Sequence, residues 1–197
     1  MKNLKWMILL MTGVLFITTT CIAYHLPAAL KEGMYEFELT FLSNTIAGII
    51  FLIGGIYGIT KKKNLPQPLY LNIVIVLQVV FFICMAFISE FNFSGAFLFL
   101  HIINPIIATI EFFVFTSCKK MQSIKLILSA LIFPVIYLIY AIAYGYISGN
   151  WLYGIINVQE KGIGFVSVLV LFVAVGILFL GWIQYKINFW LSQKRVH

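Results

Sequence analysis

Residues 100–111, "LHIINPIIATIE", carry polar side chains through a strongly apolar part of the chain. Polar groups are costly in hydrocarbon, so each of them is a candidate functional residue. His101 can take a proton and return it near neutral pH, as a general base must, although an ordinary inter-helix hydrogen bond would also explain a histidine here. Asn104, one turn later, could donate hydrogen bonds to a developing negative charge. Pro105 has no N–H and frees a backbone carbonyl close to this face.

A second constellation is "ELTFLSN" at 38–44, where Thr40 is followed by Ser43 and Asn44 on the same helical face. A threonine hydroxyl becomes a nucleophile when a neighbouring base removes its proton. Ser43, Asn44 and Asn104 are therefore candidates to hold a substrate or its oxyanion. The ordinary alternative is a helix-start cap with small side chains packed between helices.

Five aromatic residues form a third candidate group. Tyr137, Tyr140 and Tyr144 are spaced i, i+3 and i+7, so they form a stripe on one helical face. Trp151 and Tyr153 follow in the next loop. We interpret these rings as candidate walls and lid of a substrate pocket. The alternative is ordinary packing and the aromatic belt that marks a membrane–water interface.

Glu111 is the one acidic residue inside an apolar span, and it lies about 15 Å deeper along a helix than His101. That separation is too large for its carboxyl group to orient the imidazole. A buried carboxylate must be paired, hydrogen-bonded or protonated. We therefore expect a neutral structural glutamate that bonds another helix or is drawn towards Lys119 and Lys120.

The elements that must position these side chains are membrane helices. Of the 197 residues, 62% are hydrophobic and 10% are charged, whereas soluble domains are nearer half apolar and a quarter charged. About 20 mostly apolar residues cross a bilayer as a helix. Six stretches qualify, so we predict an all-α polytopic membrane protein with one six-helix bundle as a single domain, residues 1–197. The predicted spans are 6–24, 40–59, 69–89, 97–117, 126–146 and 163–185.

Basic residues are concentrated on one side of these spans. Eleven of the thirteen lysines and arginines lie at the termini or in loops on the same side, so the positive-inside rule predicts that both termini are inside. The second and fourth spans then both run from outside to inside. Thr40 and His101 each lie within about one turn of the outer end of their span, and therefore at similar depth. Nothing in the sequence shows that these two helices are neighbours.

Composition and spacing argue against several other functions. The net charge of +7 comes from short clusters between apolar runs, which leaves no basic soluble face for nucleic acid. His25, His101 and His197 are too scattered to form a metal site, and we expect no metal and no cofactor. The expected partners are membrane lipids, and the oligomeric state is left open.

The chain resembles the FAR-17a/androgen-induced-gene-like family of six-helix membrane proteins. Three stretches carry the resemblance: "ELTFLSN" at 38–44, "LHIINPIIATIE" at 100–111 and "FPVIYLIYAIAYGYISGNWLYGIINV" at 133–158. Their order and the helix count match over nearly the whole chain. In the loop, where relatives often carry a proline and then an acid after the tyrosine, this chain has Gly154 and Asn157.

The resemblance implies a threonine hydrolase that cleaves fatty-acid esters of hydroxy fatty acids, which is the activity of characterised animal members. It implies Thr40 as nucleophile and His101 as base. Because the family includes small bacterial members, it also implies a multi-pass protein of a bacterial cell membrane with a lipid-ester substrate. Two alternatives remain open. One is a lipid or small-molecule transporter with a polar path through Asn72, Gln78 and Glu111, and the other is a structural or sensory membrane protein.

Overall fold

Each of the six predicted spans corresponds to a helix in the computed structural model, which describes residues 3–25, 38–86, 94–116 and 124–194. The last residues of the third and fourth predicted spans, 87–89 and 117, lie outside the described residues. All regular structure in the described residues is helical, and six helices are long and apolar enough to cross a membrane. The protein is therefore an all-α membrane bundle, as the sequence predicts. In chain order the helices are α1 (Leu4–Tyr24), α2 (Leu39–Lys61), α3 (Gln67–Ala86), α4 (Ala96–Phe115), α5 (Ile124–Ser148), α6 (Val158–Lys161) and α7 (Ile163–Lys194).

Local signals set the turn between α2 and α3. Lys62 adopts a left-handed conformation with φ of 56°, which ends α2. The chain becomes helical again directly after Pro66. Pro68 lies in the first turn of α3, where its missing N–H has no helical partner to lose. The left-handed Lys62 therefore ends α2, and the two prolines lie where α3 begins.

Two helices differ from their predicted spans. α5 consists of two segments, Ile124–Ser129 and Ile132–Ser148, with a turn between them. α7 continues well past its predicted limit to Lys194, whose amino group lies 3.7 Å from the centre of the Trp190 ring. The added turns include fully buried Asn188 and contain no glycine or proline that would end a helix. Hydropathy falls in these turns, so an apolar-run criterion stops too early.

Glycines form a seam between α1 and α2. A Cβ atom on Gly13 of α1 would lie 2.7 Å from the Gly48 carbonyl oxygen of α2. A Cβ atom on Gly55 would lie 2.7 Å from the Leu10 backbone nitrogen. Small residues let membrane helices approach closely, and the resulting van der Waals packing is a main attraction between helices in lipid. The first two helices therefore form a tight pair.

The core lies where α1, α2, α3 and α4 meet. Phe16 of α1 packs edge to face on Phe51 of α2, with ring centroids 5.5 Å apart, and both rings are buried. Leu71 of α3 and Phe112 of α4 belong to the same core. α7 is the least buried of the six long helices and presents large side chains such as Phe172 outward. Helices α1 to α4 therefore position the candidate site, while most of α7 is exposed on the outside of the bundle.

Candidate functional site

Asn44 joins α2 to α4. Its side-chain nitrogen donates one hydrogen bond to the Thr40 carbonyl oxygen at 2.8 Å and another to the Leu100 carbonyl oxygen at 3.2 Å. Because both oxygens bond the same nitrogen, they lie within about 6 Å of each other. The sequence puts Thr40 and His101 at similar depth without showing that their helices touch. The structure shows that α2 and α4 are neighbours at this level.

A chain of side-chain hydrogen bonds continues from Asn44 to α1. Asn104 of α4 donates to the Asn44 side-chain oxygen at 2.8 Å and to the Thr19 hydroxyl at 3.2 Å. The Thr19 hydroxyl donates in turn to the Leu15 carbonyl oxygen at 2.9 Å. Since the chain ends at backbone carbonyls on both sides, the orientation of both amides is fixed. Three helices are thus tied together beside Thr40.

α4 contains a π-helical turn over Phe99–Ile103. At the end of this turn the Asn104 N–H bonds a carbonyl oxygen five residues back. In the same register the Leu100 carbonyl oxygen would need an N–H on Pro105, which has none. The Asn44 side chain supplies the missing donor. The predicted free carbonyl therefore exists, and it is used to hold α4 against α2.

Thr40 and His101 are both buried, with 7% and 6% of their surfaces exposed. The imidazole lies in the π-helical turn and stacks on the Phe97 ring, with centroids 6.3 Å apart. Phe97 packs edge to face on Phe41, the residue after Thr40. Among the described residues, no hydrogen bond joins the Thr40 hydroxyl to the imidazole. Catalytic hydrogen bonds are often long or poorly aligned without substrate, so the pair stays a prediction.

The three candidate substrate-binding residues beside this pair have partners within the protein. Ser43 is fully buried and donates its hydroxyl to the Thr40 carbonyl oxygen at 3.1 Å. Both N–H groups of Asn44 and of Asn104 are used in the hydrogen bonds already described. An oxyanion could bind either amide only in exchange for one of those bonds. The Asn104 side-chain oxygen is buried and has no donor among the described residues.

Tyr153 reaches the start of α2 from the loop after α5. Its hydroxyl oxygen accepts hydrogen bonds from the Leu39 N–H at 2.9 Å and from the Tyr137 hydroxyl at 3.4 Å. The first N–H groups of a helix have no partner within the helix, and Tyr153 satisfies one of them directly before Thr40. Burial raises the pKa of Tyr153 from 10.0 to about 12, because the phenolate would be poorly hydrated there.

The predicted tyrosine stripe exists as a row of ring contacts. Tyr140 lies between Tyr137 and Tyr144, with ring centroids 6.1 Å and 6.2 Å away. Trp151 and Tyr153 of the loop pack into the same cluster. Through Tyr153 this cluster contacts the start of α2. Ring contacts of this kind fit a pocket wall and a packing cluster equally, so the two interpretations stand as the sequence leaves them.

Glu111 bonds another helix, which is one of the two outcomes that the sequence predicts for it. The Thr12 hydroxyl of α1 donates to one carboxyl oxygen, and the other carboxyl oxygen is buried without a donor among the described residues. Lys119 and Lys120, the alternative partners, lie outside the described residues. Sequence reasoning missed both Thr12 and Thr19. Their spacing of seven residues puts them on one face of α1, and that is the signal that could have found them.

The site therefore consists of hydroxyl, amide and imidazole groups held between three membrane helices. In the part of the chain that the structure describes, no three or more His, Cys, Asp or Glu side chains come together as a metal site would require. Fold and site together define a membrane-spanning helical bundle with a buried polar network beside the start of α2. Comparison of the chain with protein-family models, with curated proteins and with solved structures gives no match.

Proposed function

We propose that the protein is a membrane-embedded lipid-ester hydrolase with Thr40 as nucleophile and His101 as base. The observation that carries the proposal is the Asn44 side-chain nitrogen, which bonds the carbonyl oxygens of Thr40 and Leu100. Asn44 thus holds the backbone of Thr40 beside Leu100, the residue that precedes His101. The side chains of Thr40 and His101 are both buried. The three sequence stretches that resemble threonine hydrolases support the same pair.

In the proposed reaction, the His101 imidazole removes the hydroxyl proton of Thr40 as the oxygen attacks the ester carbonyl. The imidazolium then gives the proton to the leaving alcohol, and the acyl group stays on the threonine as an ester. Water, deprotonated by the same imidazole, attacks that ester and releases the fatty acid, and the imidazolium returns the proton to the Thr40 oxygen. A position near one end of the membrane helices suits this reaction, because the acyl chain stays in hydrocarbon while water reaches the ester.

The negative charge that forms on the ester oxygen needs a hydrogen-bond donor. The N–H groups of Asn44 and Asn104 are committed to bonds between helices. The Tyr153 hydroxyl accepts two hydrogen bonds and, among the described residues, keeps its own proton to donate. It also lies beside the N–H of the residue before Thr40. We therefore favour Tyr153 over the two asparagines as the oxyanion donor.

Hydrolysis of a branched fatty-acid ester by the purified protein in detergent tests the proposal. Thr40→Ala and His101→Ala should each lower kcat by roughly 10²–10⁴-fold, because each removes one chemical group of the reaction. Thr40→Ser retains a hydroxyl and should retain measurable activity. Thr60→Ala is the matched control, since Thr60 lies on the same helix, is exposed and donates to the backbone of its own helix.

Two outcomes would contradict the proposal. In the first, the wild type hydrolyses none of a panel of esters with different chain lengths. In the second, Thr40→Ala and His101→Ala remain as active as Thr60→Ala. Circular dichroism and thermal unfolding in the same detergent separate loss of chemistry from loss of fold. Loss of activity that follows loss of fold would give the pair a structural role.

Transport is the second candidate, and one observation favours it. Glu111 is a membrane carboxyl group with one buried oxygen that lacks a donor among the described residues. Two residues earlier on α4, Thr109 accepts a hydrogen bond from Gln78 at 3.0 Å. Glu111→Gln has the shape of a protonated carboxyl group but cannot release a proton. Ester hydrolysis should be unchanged in this variant, whereas proton-coupled uptake into liposomes should be lost if the protein is a transporter.

A further inference from the structure

A groove of about 190 Å³ opens between the last turns of α1 and the first turns of α2. Neither Thr40 nor His101 lines this groove. Its lining includes Cys21 and Tyr24 of α1, His25 directly after α1, and Phe41, Leu42 and Thr45 of α2. Sites for drug-sized molecules usually measure roughly 300–1,000 Å³, so this groove suits one thin segment of a larger molecule.

The groove has an apolar body and a polar end. Tyr24 is the last residue of α1 and His25 follows it, and their rings meet edge to face with centroids 5.3 Å apart. Amphipathic rings at the end of a membrane helix are typical of the membrane surface. One turn deeper, the Thr20 hydroxyl is satisfied within α1, because it donates to the Phe16 carbonyl oxygen at 2.7 Å.

The groove lies between two helices that are long and apolar enough to span a membrane, so hydrocarbon borders the part of the groove below Tyr24 and His25. An empty apolar groove would leave its walls without van der Waals partners. Water needs two or more polar partners to remain in such a place. Lipid acyl chains are the thin apolar molecules present at that depth, so one acyl chain is the occupant that fits.

Phe41 connects the groove to the proposed catalytic pair. It is a buried wall of the groove and directly follows Thr40 in the chain. Its ring contacts Phe97, on which the His101 imidazole stacks. Only the Phe41 ring would therefore separate an acyl chain in the groove from Phe97. The polar end of the groove lies at the same end of the bundle as Thr40.

We propose that this groove binds one acyl chain of the ester substrate and so determines which chain lengths are accepted. The inference rests on the proposed hydrolase function. The acyl chain moves from the hydrocarbon of the membrane into an apolar groove, so no apolar surface is removed from water. Selection among acyl chains therefore comes from shape and packing.

Filling the groove tests the inference by kinetics. Leu42→Trp places an indole in the groove. Ile49→Trp is the control, because it places the same ring seven residues further along the same helical face. Ile49 is 43% exposed and does not line the groove. Leu42→Trp should raise KM for a long-chain ester about tenfold and leave kcat for an acetyl ester within about twofold. Ile49→Trp should change neither. Thr45→Trp fills the same groove from the next turn if Leu42→Trp does not fold.

Photolabelling provides a readout that does not need catalysis. Palmitic acid with a diazirine on its chain is irradiated with Thr40→Ala protein in detergent, and the labelled residues are identified by mass spectrometry. The labels should fall at residues 20–25 and 41–45 and should decrease several-fold with excess unlabelled palmitic acid. The double variant Thr40→Ala/Leu42→Trp should show the same decrease in labelling. The double variant Thr40→Ala/Ile49→Trp should be labelled as strongly as Thr40→Ala.

Two failures can be told apart. Labels spread over the exposed faces of α5 and α7, and unaffected by Leu42→Trp, would overturn the inference even if the wild type hydrolyses esters. Labels confined to the groove in a protein that hydrolyses no ester would overturn the proposed function. In that case the groove would remain a lipid site, and its role towards an ester substrate would fall with the enzyme.

Discussion

At the scale of single residues, the Tyr153 hydroxyl should make the stability of the fold depend on pH. This neutral hydroxyl accepts a hydrogen bond from the Leu39 N–H, and burial raises its pKa from 10.0 to about 12. The folded protein therefore keeps this proton at pH values where the unfolded chain has lost it. The contribution is fully present below about pH 10 and is lost as the pH rises to about 12.

Tyr153→Phe should flatten this pH dependence. Over that window the wild type should lose on the order of 2 kcal/mol of unfolding free energy through Tyr153, a loss that phenylalanine cannot show. At pH 8 the variant should already be about 1 kcal/mol less stable, because the Leu39 N–H loses its acceptor. Denaturant unfolding in detergent at several pH values measures both effects, with exposed Tyr146→Phe as control. Parallel pH slopes for wild type and Tyr153→Phe would show that another group dominates.

The polar residues differ in how far the sequence could predict their roles. Residue type and hydropathy suffice to predict that Asn44, Asn104 and Glu111 lie inside membrane helices. Their hydrogen-bond partners could not be predicted, because Asn104 bonds a residue 60 positions away and Glu111 bonds one 99 positions away. Such pairings depend on which helices are neighbours, and one sequence holds no local signal for that. The catalytic roles of Thr40 and His101 stay predictions, which the hydrolysis assays on their variants test.

Among the helices, α4 has the least regular backbone, and its π-helical turn depends on residues from two helices. Pro105 lacks the N–H that the Leu100 carbonyl would accept in this register, and Asn44 of α2 replaces it. The sequence indicates the free carbonyl, because a proline always removes one donor. The register of the turn follows from the partner on α2, and it could not be predicted without knowing that α2 and α4 are neighbours.

Pro105→Ala should convert this turn to ordinary α-helix. Alanine restores an N–H, and closing the extra residue of the π turn would rotate His101 by about 100° relative to the rest of α4. We expect unchanged or higher thermal stability and roughly tenfold or greater loss of ester hydrolysis. Pro134→Ala is the control, because Pro134 lies in the first turn of the second α5 segment, outside any π turn.

A double-mutant cycle with Asn44→Ala checks the explanation. If Asn44 compensates for Pro105, then Asn44→Ala should destabilise the wild type more than it destabilises Pro105→Ala. Equal costs in the two backgrounds would mean that the Asn44–Leu100 hydrogen bond does not depend on the proline. Full hydrolytic activity in Pro105→Ala would mean that the position of His101 in the π turn is not needed for the chemistry.

In the molecule as a whole, the glycine seam between α1 and α2 supports the three-helix polar network. Gly13→Ala would bring a Cβ atom 2.6 Å from the Leu52 backbone nitrogen, whereas nothing lies within 4 Å of a Cβ atom on Gly176 of α7. Gly13→Ala should therefore lower the unfolding free energy by about 1–3 kcal/mol and weaken hydrolysis as well. Gly176→Ala should be neutral or stabilise α7 by up to about 1 kcal/mol. Equal thermal unfolding of the two variants would show that the seam is not tight.

The orientation of the bundle is a prediction from charge, and it concerns the whole chain. Both termini should lie on the inner side, because eleven of the thirteen basic residues are on that side of the spans. A fusion reporter that is active only inside the cell should work at either terminus, and a reporter active only outside should work at neither. Activity of the outside reporter at both termini would mean that the topology is inverted, and activity at one terminus only would mean that the number of spans is odd.

The length of α7 has a practical consequence for imaging. Its 32 residues extend about 48 Å, whereas the hydrocarbon of a bilayer is about 30 Å thick. Even if α7 is tilted, some of its turns extend beyond the hydrocarbon, and its last described residue is Lys194. A soluble helical tag joined in register after Lys194 would continue as one stiff rod. Such a rigid fiducial would give electron microscopy a feature to align on in a protein of only 22.4 kDa.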